Sequence, residues 1–245
     1  MTRSLAGAAR VPLAVLAVSL GALAAPAIAA ASPAQIHDPL HHLTHSTSSN
    51  WSGYAATGAR FTTVSSSWTQ PTATCTQATT YSSFWVGLDG DTTNTVEQTG
   101  TDADCSGGTP VYYAWYEMYP KYPVNLSMAV RPGDKMTASV TAGSRGRFTL
   151  TIRNTTTGAS FTTQQTLRSA KLGSAEVIAE APSSSSGVLP LTNFGTVGFT
   201  GATVNGANIG TFSPDRINMV SGGVTKAATS ALSGGNAFSV TWKHS

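Results

Sequence analysis

The chain has 245 residues, 40% hydrophobic and only 10% charged, with a formal net charge of +3. That length and apolar content suit one sizeable core behind an export signal, since all-β sandwiches of roughly 200 residues are common. The basic residues are scattered among Ser, Thr and Gly instead of sharing a face, which excludes nucleic acid as a partner, and without Arg3 and Arg10 the balance is 12 basic to 11 acidic.

Residues 1–31 read as a signal peptide. Arg3 and Arg10 precede an apolar run from Val11 to Ala25, and Ala27-Ile28-Ala29 gives a small-x-small cleavage pattern. No later segment approaches the ~20 continuous apolar residues that a bilayer span requires, so a secreted, extracellular monomer is expected, with no membrane partner once the signal is removed. Residues 32–49 carry His37, His41, His42 and His45 among Ser, Thr and Pro and read as a flexible leader or short propeptide. Imidazoles titrate near ~6.5, so acidification would charge and release such a segment if it lay over a cleft; a plain linker is the alternative.

Residues 50–245 read as a single β domain. Period two dominates, in Leu126/Met128/Val130, Met136/Ala138/Val140, Phe148/Leu150/Ile152 and Phe238/Val240/Trp242. Arg131 to Asp134, Gly143 to Gly146 and Asn154 to Gly158 are breaks suited to antiparallel neighbours. Helical spacing is nowhere sustained. The expected fold is all-β, a two-sheet antiparallel β-sandwich, because one sheet could not bury this much apolar surface. Cys75 and Cys105 are the two cysteines, and in an exported chain they are expected to form a disulfide.

The chemistry follows by elimination. Of five histidines, four lie in the leader and the fifth is His244 near the end. A body without imidazole argues against Ser-His-Asp, Cys-His and ordinary zinc chemistry, and no lysine has a serine three residues before it. No metal or other cofactor is expected. Acid, amide and aromatic side chains remain. Alternation puts Tyr113, Trp115, Glu117 and Tyr119 on one face of a strand. It also sets Glu176, Ile178 and Glu180 opposite Val177 and Ala179, and Trp85, Gly87 and Asp89 opposite Phe84, Val86 and Leu88. A carboxylate on such a face is ordinarily just solvated. Together with Gln98, however, these residues would line a groove able to hold an extended peptide or a sugar chain.

At these positions the chain resembles the glutamic peptidases of the G1 type, the eqolisins. The matching pieces are Asn50-Trp51-Ser52-Gly53, Trp85-Val86-Gly87-Leu88-Asp89-Gly90-Asp91, Gln98-Thr99-Gly100, Ala114 through Pro120 and Ala175 through Glu180, in the family's order. The resemblance implies a lectin/glucanase-like sandwich acting on polypeptide substrates, with Gln98 and Glu180 as the catalytic pair and Glu176 not a member of it. It also implies that Trp85, Asp89, Trp115, Glu117 and Tyr119 position the pair or contact substrate, and that Tyr119 to Pro123 forms a flap. Val177, where fungal members carry an aromatic, and Ala181-Pro182 depart from the family pattern. In such a site Glu180 would activate water and Gln98 would hold the oxyanion, giving an acid endopeptidase. The rival is a polysaccharide-binding or glycoside-hydrolysing sandwich that pairs Glu117 with Glu176 or Glu180.

Overall fold

The structure is a computed structural model that describes Met1 and residues 35–37, 42–44, 46–91 and 93–245. The chain divides into two units, Met1–Ser32 and Pro33–Ser245. Apart from Met1, the first unit, and with it the expected signal peptide, lies outside the described residues, as do His41 and His45.

Within the second unit the backbone is almost entirely β, and among the described residues the only helical pieces are the 3-10 turns Ser144–Gly146 and Ile209–Phe212. One sheet runs Asp215–Ser221, Trp51–Ala56, Ala175–Glu180, Ser83–Leu88, Val96–Ser106, Thr109–Tyr119 and Val124–Asn125, every neighbouring pair antiparallel. The other begins again at Asp215–Ser221 and continues through Val224–Thr229, Phe238–Trp242, Thr196–Val204, Thr63–Thr69, Lys135–Ala142, Arg147–Asn154 and Ser160–Thr166. Because Asp215–Ser221 pairs in both, the two layers form one continuous network. Two faces packed on each other make the expected antiparallel sandwich.

Alternation decides which side chains fill the space between the sheets. Phe84, Val86, Leu88, Val177 and Ala179 of the first sheet meet Val64, Met136, Val140, Leu150, Ile152, Phe199 and Val240 of the second. Each of these side chains larger than alanine contributes about 1.5–3 kcal/mol. The residues between them in sequence point the opposite way and build a second apolar cluster of Trp51, Ala55, Trp85, Val96, Trp115, Ile178 and Ile217, with Tyr113 and Tyr119 packed against it. Strands Ser83–Leu88 and Ala175–Glu180 are therefore buried on both faces. Gly53, at φ +152°, lets Trp51–Ala56 lie this close to Ala175–Glu180: an added Cβ would stand 2.2 Å from the Val177 carbonyl oxygen.

Two of the predicted turns, 143–146 and 154–158, join antiparallel strands as expected, and Cys75 and Cys105 form a disulfide. One strand expectation fails. Leu126, Met128 and Val130 alternate in burial, but only Val124–Asn125 pairs with Thr109–Tyr119, and the Leu126 N–H bonds Ala114 alone. Residues 126–130 pack Leu126, Met128 and Val130 against the core without joining a ladder.

Candidate active site

The second apolar cluster is the floor on which the polar residues stand. Gln98 on Val96–Ser106 pairs with Gly87, and Gly87 pairs with Glu176 on Ala175–Glu180. Glu180 is four residues further along that strand, an even step that keeps it on the same face. Glu117 lies directly across from Gln98 on Thr109–Tyr119, two positions from Trp115. Gly87 leaves the floor between these groups low. A Cβ there would come within 2.9 Å of the Trp85 ring and 3.2 Å of the Gln98 Cβ.

Glu180 is fully buried and held from two sides: the Trp85 indole N–H donates to Oε2 at 2.7 Å and the Asn50 amide reaches Oε1 at 3.5 Å. The Gln98 amide nitrogen donates at 2.9 Å to Glu117 Oε2 and at 2.9 Å to the main-chain carbonyl of His37. Both partners are pure acceptors here, so the nitrogen and not the oxygen of the amide must face them. Gln98 thus presents an N–H to a peptide carbonyl, and Glu117 fixes its orientation.

That carbonyl belongs to the segment in which a flexible leader was expected. The His37 ring stacks on Trp115 with centroids 3.8 Å apart and planes 5° apart, and it is 1% exposed. Its Nδ1 lies 3.2 Å from the Ser83 hydroxyl and 3.6 Å from Glu180 Oε2, while its backbone N–H donates to Glu117 Oε2 at 3.3 Å. Burial pushes the imidazole down to about 3. Ser83, His37 and Glu180 do not make a nucleophilic triad. In such a triad the two ring nitrogens divide serine and acid between them, whereas here both partners approach Nδ1.

The remaining acids have other work. Asp102 accepts from the Trp115 indole at 2.5 Å, and the Tyr113 hydroxyl is 2.9 Å from both Asp102 and Asp104. Burial pushes both carboxyls up, Asp104 to about 6, and the Asp104 charge adds to the rise at Asp102. Asp89, expected at the cleft, turns elsewhere: its carboxylate accepts the backbone N–H groups of Lys171, Leu172 and Gly173 at 2.7–2.9 Å. Burial, and behind it neighbouring carboxylates, raise Glu97 to about 9 and Glu176 well above the usual range. Tyr119 packs at the edge of the floor, next to the exposed residues of the expected flap.

Sequence reasoning therefore names Gln98, Glu180, Trp85, Trp115 and Glu117, which the fold brings together, and places Asp89 differently. It misses His37, Asn50, Ser83, Asp102 and Asp104 as parts of the site. Asn50 stood inside a quoted motif; His37 belonged to the histidine-bearing leader expected to answer to acid if it lay over a cleft, with no contact to a site residue foreseen.

Comparison with known proteins gives the family and the fold. Aspergillopepsin-2 of Aspergillus niger is 37% identical over 134 residues, covering 51% of this chain and 47% of that protein. The chain spans about half the length of the curated relatives it matches. A crystal structure of scytalido-glutamic peptidase with a transition-state analogue inhibitor superposes with a TM-score of 0.71 at 28% identity, over 80% of this chain and 98% of that one. An eqolisin solved in complex with the tripeptide Ala-Ile-His superposes at 0.67, also at 28% identity and over the same shares. Residues 49–242 match the Peptidase A4 family, which takes in most of the chain and every residue of the site except His37, and the protein belongs to that family.

Proposed function

We propose that this protein is a secreted acid endopeptidase that hydrolyses polypeptides with Glu180 and Gln98, without metal or cofactor. The observation carrying this is that both side chains reach one buried residue, the Gln98 amide donating at 2.9 Å to the His37 carbonyl oxygen and Glu180 lying 3.6 Å from Nδ1 of the His37 ring. Ionised Glu180, oriented by Trp85 and Asn50, takes a proton from water as the water attacks the carbonyl carbon. The developing oxyanion is held by the Gln98 N–H, which donates without changing charge at any acidic pH. Glu180 then passes the proton to the leaving nitrogen.

An extended peptide suits the cleft, because Trp115 offers a flat apolar face and buried polar groups surround it. The tripeptide Ala-Ile-His bound by a structural relative shares Ile-His with the residues that fill the cleft here, Ile36 and His37. Pairing Glu117 with Glu176 or Glu180 for glycoside hydrolysis is not supported. Glu117 is engaged by Gln98 and by the His37 N–H, and that reading gives Gln98 no role.

Turnover of denatured casein at acidic pH tests the assignment. Gln98→Ala is expected to lower kcat at least about 10²-fold with folding retained, the usual loss for an oxyanion donor. Glu180→Gln is expected to abolish activity. Near-wild-type turnover by purified Glu180→Gln would overturn the reading.

A further inference from the structure

Asp102 and Asp104 stand at alternate positions of Val96–Ser106, on the face that carries Gln98, and both approach one hydroxyl. The Tyr113 oxygen is 2.9 Å from Asp102 Oδ2 and 2.9 Å from Asp104 Oδ2. A phenol has one hydrogen to give, and an ionised carboxylate can only accept. Both contacts are hydrogen bonds only if one of the two carboxyls brings a hydrogen of its own. Asp104 receives the Ser82 backbone N–H on Oδ1 at 3.1 Å and the Gln35 amide on Oδ2 at 2.8 Å, so both of its oxygens act as acceptors. Asp102 receives the Trp115 indole N–H on Oδ1 at 2.5 Å and turns Oδ2 to Tyr113. The extra hydrogen therefore belongs on Asp102 Oδ2, which donates to the Tyr113 oxygen while the Tyr113 hydroxyl donates to Asp104.

We infer that Asp102 works as a neutral carboxylic acid at the head of a donor chain Asp102–Tyr113–Asp104, and that this chain is the positioning device for Trp115 and for the substrate residue that rests on it. The inference rests on the Gln98 and Glu180 assignment. His37 shows where such a residue lies: its ring is stacked on Trp115 with centroids 3.8 Å apart, and its carbonyl oxygen is 2.9 Å from the Gln98 amide. A substrate side chain on the acyl side of the cut bond takes the same seat. Asp102 and Tyr113 are thus positioning residues, acting on substrate only through the indole.

The chain needs one proton, and pH decides whether it is there. Burial raises both carboxyls, Asp104 to about 6 and Asp102 well above its ordinary value, with the Asp104 charge adding to the rise at Asp102. Among the described residues, the groups facing the pair are Tyr113, Tyr81 near Asp104, His37 over Trp115, and Glu180 in the cross-strand row Glu180–Ser83–Asp102. None is a cation near neutrality, since burial holds His37 neutral down to about 3. For acids raised in this way the working state is complete at low pH and is lost as pH climbs past the folded value. The proton that matters is the last one the pair gives up, so the loss falls above pH 6. A general base alone would give a rate that rises as Glu180 ionises and then stays level, so the upper limb of the profile needs a second group of this kind.

The experiment follows kcat and KM for a peptide substrate against pH, each profile normalised to its own acid plateau, together with the infrared absorption of protonated carboxyls. In Asp102→Asn the amide oxygen accepts from Trp115 and the NH₂ gives Tyr113 a hydrogen that does not titrate. The upper limb of kcat/KM is expected to move up by at least about one pH unit, and the protonated-carboxyl absorption near neutral pH to fall. Asp104→Asn supplies the hydrogen from the other end, Gln35 turning over its amide, whose oxygen has no partner. It is expected to move the limb the same way, and it decides the matter if Asp102→Asn does not fold. In the wild type the limb is expected in KM, because Trp115 holds substrate without touching the reacting atoms. Tyr113→Phe cuts the chain and is expected to raise KM roughly three- to tenfold in acid. Glu176→Gln, a buried carboxyl outside the chain, is expected to leave the midpoint in place. A merely structural Asp102 would instead lower activity at every pH with the midpoint unmoved. If Glu180→Gln has lost turnover but folded Asp102→Asn keeps the wild-type limb or the infrared absorption, or Asp104→Asn keeps the limb where Asp102→Asn fails to fold, the donor chain is wrong and the catalytic assignment survives. If Glu180→Gln keeps its turnover, the inference falls together with the assignment beneath it.

Discussion

At the scale of single residues, the site depends on hydrogen bonds that orient Gln98 and Glu180. Trp85 supplies the 2.7 Å indole bond to Glu180, and a bond to a charged acceptor contributes about 1.5–3 kcal/mol. Trp85→Phe keeps most of the apolar floor and removes that donor. Steady-state kinetics should show kcat reduced between about 10- and 150-fold, with thermal stability changed far less. Gly87 acts by lacking a side chain. In Gly87→Ala the new methyl must displace Trp85 or Gln98, and misplacing a donor by about 1 Å is enough to cost ~10²-fold. The expected signature is a fall in kcat on that order. The faces of Trp85, Trp115, Glu117 and Glu180 were legible from alternation alone. Their partners were not. Nothing local says that Asn50 meets Glu180 across 130 residues, or that His37 meets Gln98 across 61.

At the scale of elements, the loops are tied to strands by a few polar anchors and one covalent bond. Asp89 holds the turn at 171–173 through three backbone N–H groups, which would otherwise lack acceptors in a partly buried position. Asp89→Ala should lower the unfolding free energy by about 2–4 kcal/mol, as read from urea titration, and any loss of activity should follow the loss of folded protein. The Cys75–Cys105 bridge spans 30 residues, and a loop of that size corresponds to about 3.6 kcal/mol of stabilisation. Replacing both cysteines by serine should shift the urea midpoint accordingly while the sheet spectrum is retained. Strands with clean alternation and turn residues at both ends were identified correctly. The segment 126–130 had the same alternation without the ladder, because period two reports which side chains face the core and not whether a neighbouring backbone lies within bonding distance.

At the scale of the whole molecule, the fold buries several carboxyls in its interior. Glu97, Glu176, Asp102 and Asp104 all have their carboxyls pushed up by burial, Glu97 from 4.5 to about 9. For an acid raised in this way, the folded state keeps a proton that the unfolded chain has released. The stabilisation is then complete below the unfolded value and is lost as pH climbs through the folded one. Urea midpoints are expected to be highest near pH 4 and to decline steadily toward pH 9, with the double substitution Glu97→Gln, Glu176→Gln flattening the decline. An acid-working enzyme would fit such a profile. The sequence by itself determined the all-β class, the sandwich and the two faces of each site strand, since these follow from alternation, while the choice of Gln98 and Glu180 came from the resemblance to a family and is part of the proposal. Only the tertiary structure decided that Asp89 serves a loop, that buried carboxyls lie beneath the cleft, and that residues 35–37 fill it. Those facts depend on which distant strands become neighbours, and the hydrogen bonds and desolvation that result exist only once the sheets have closed on each other.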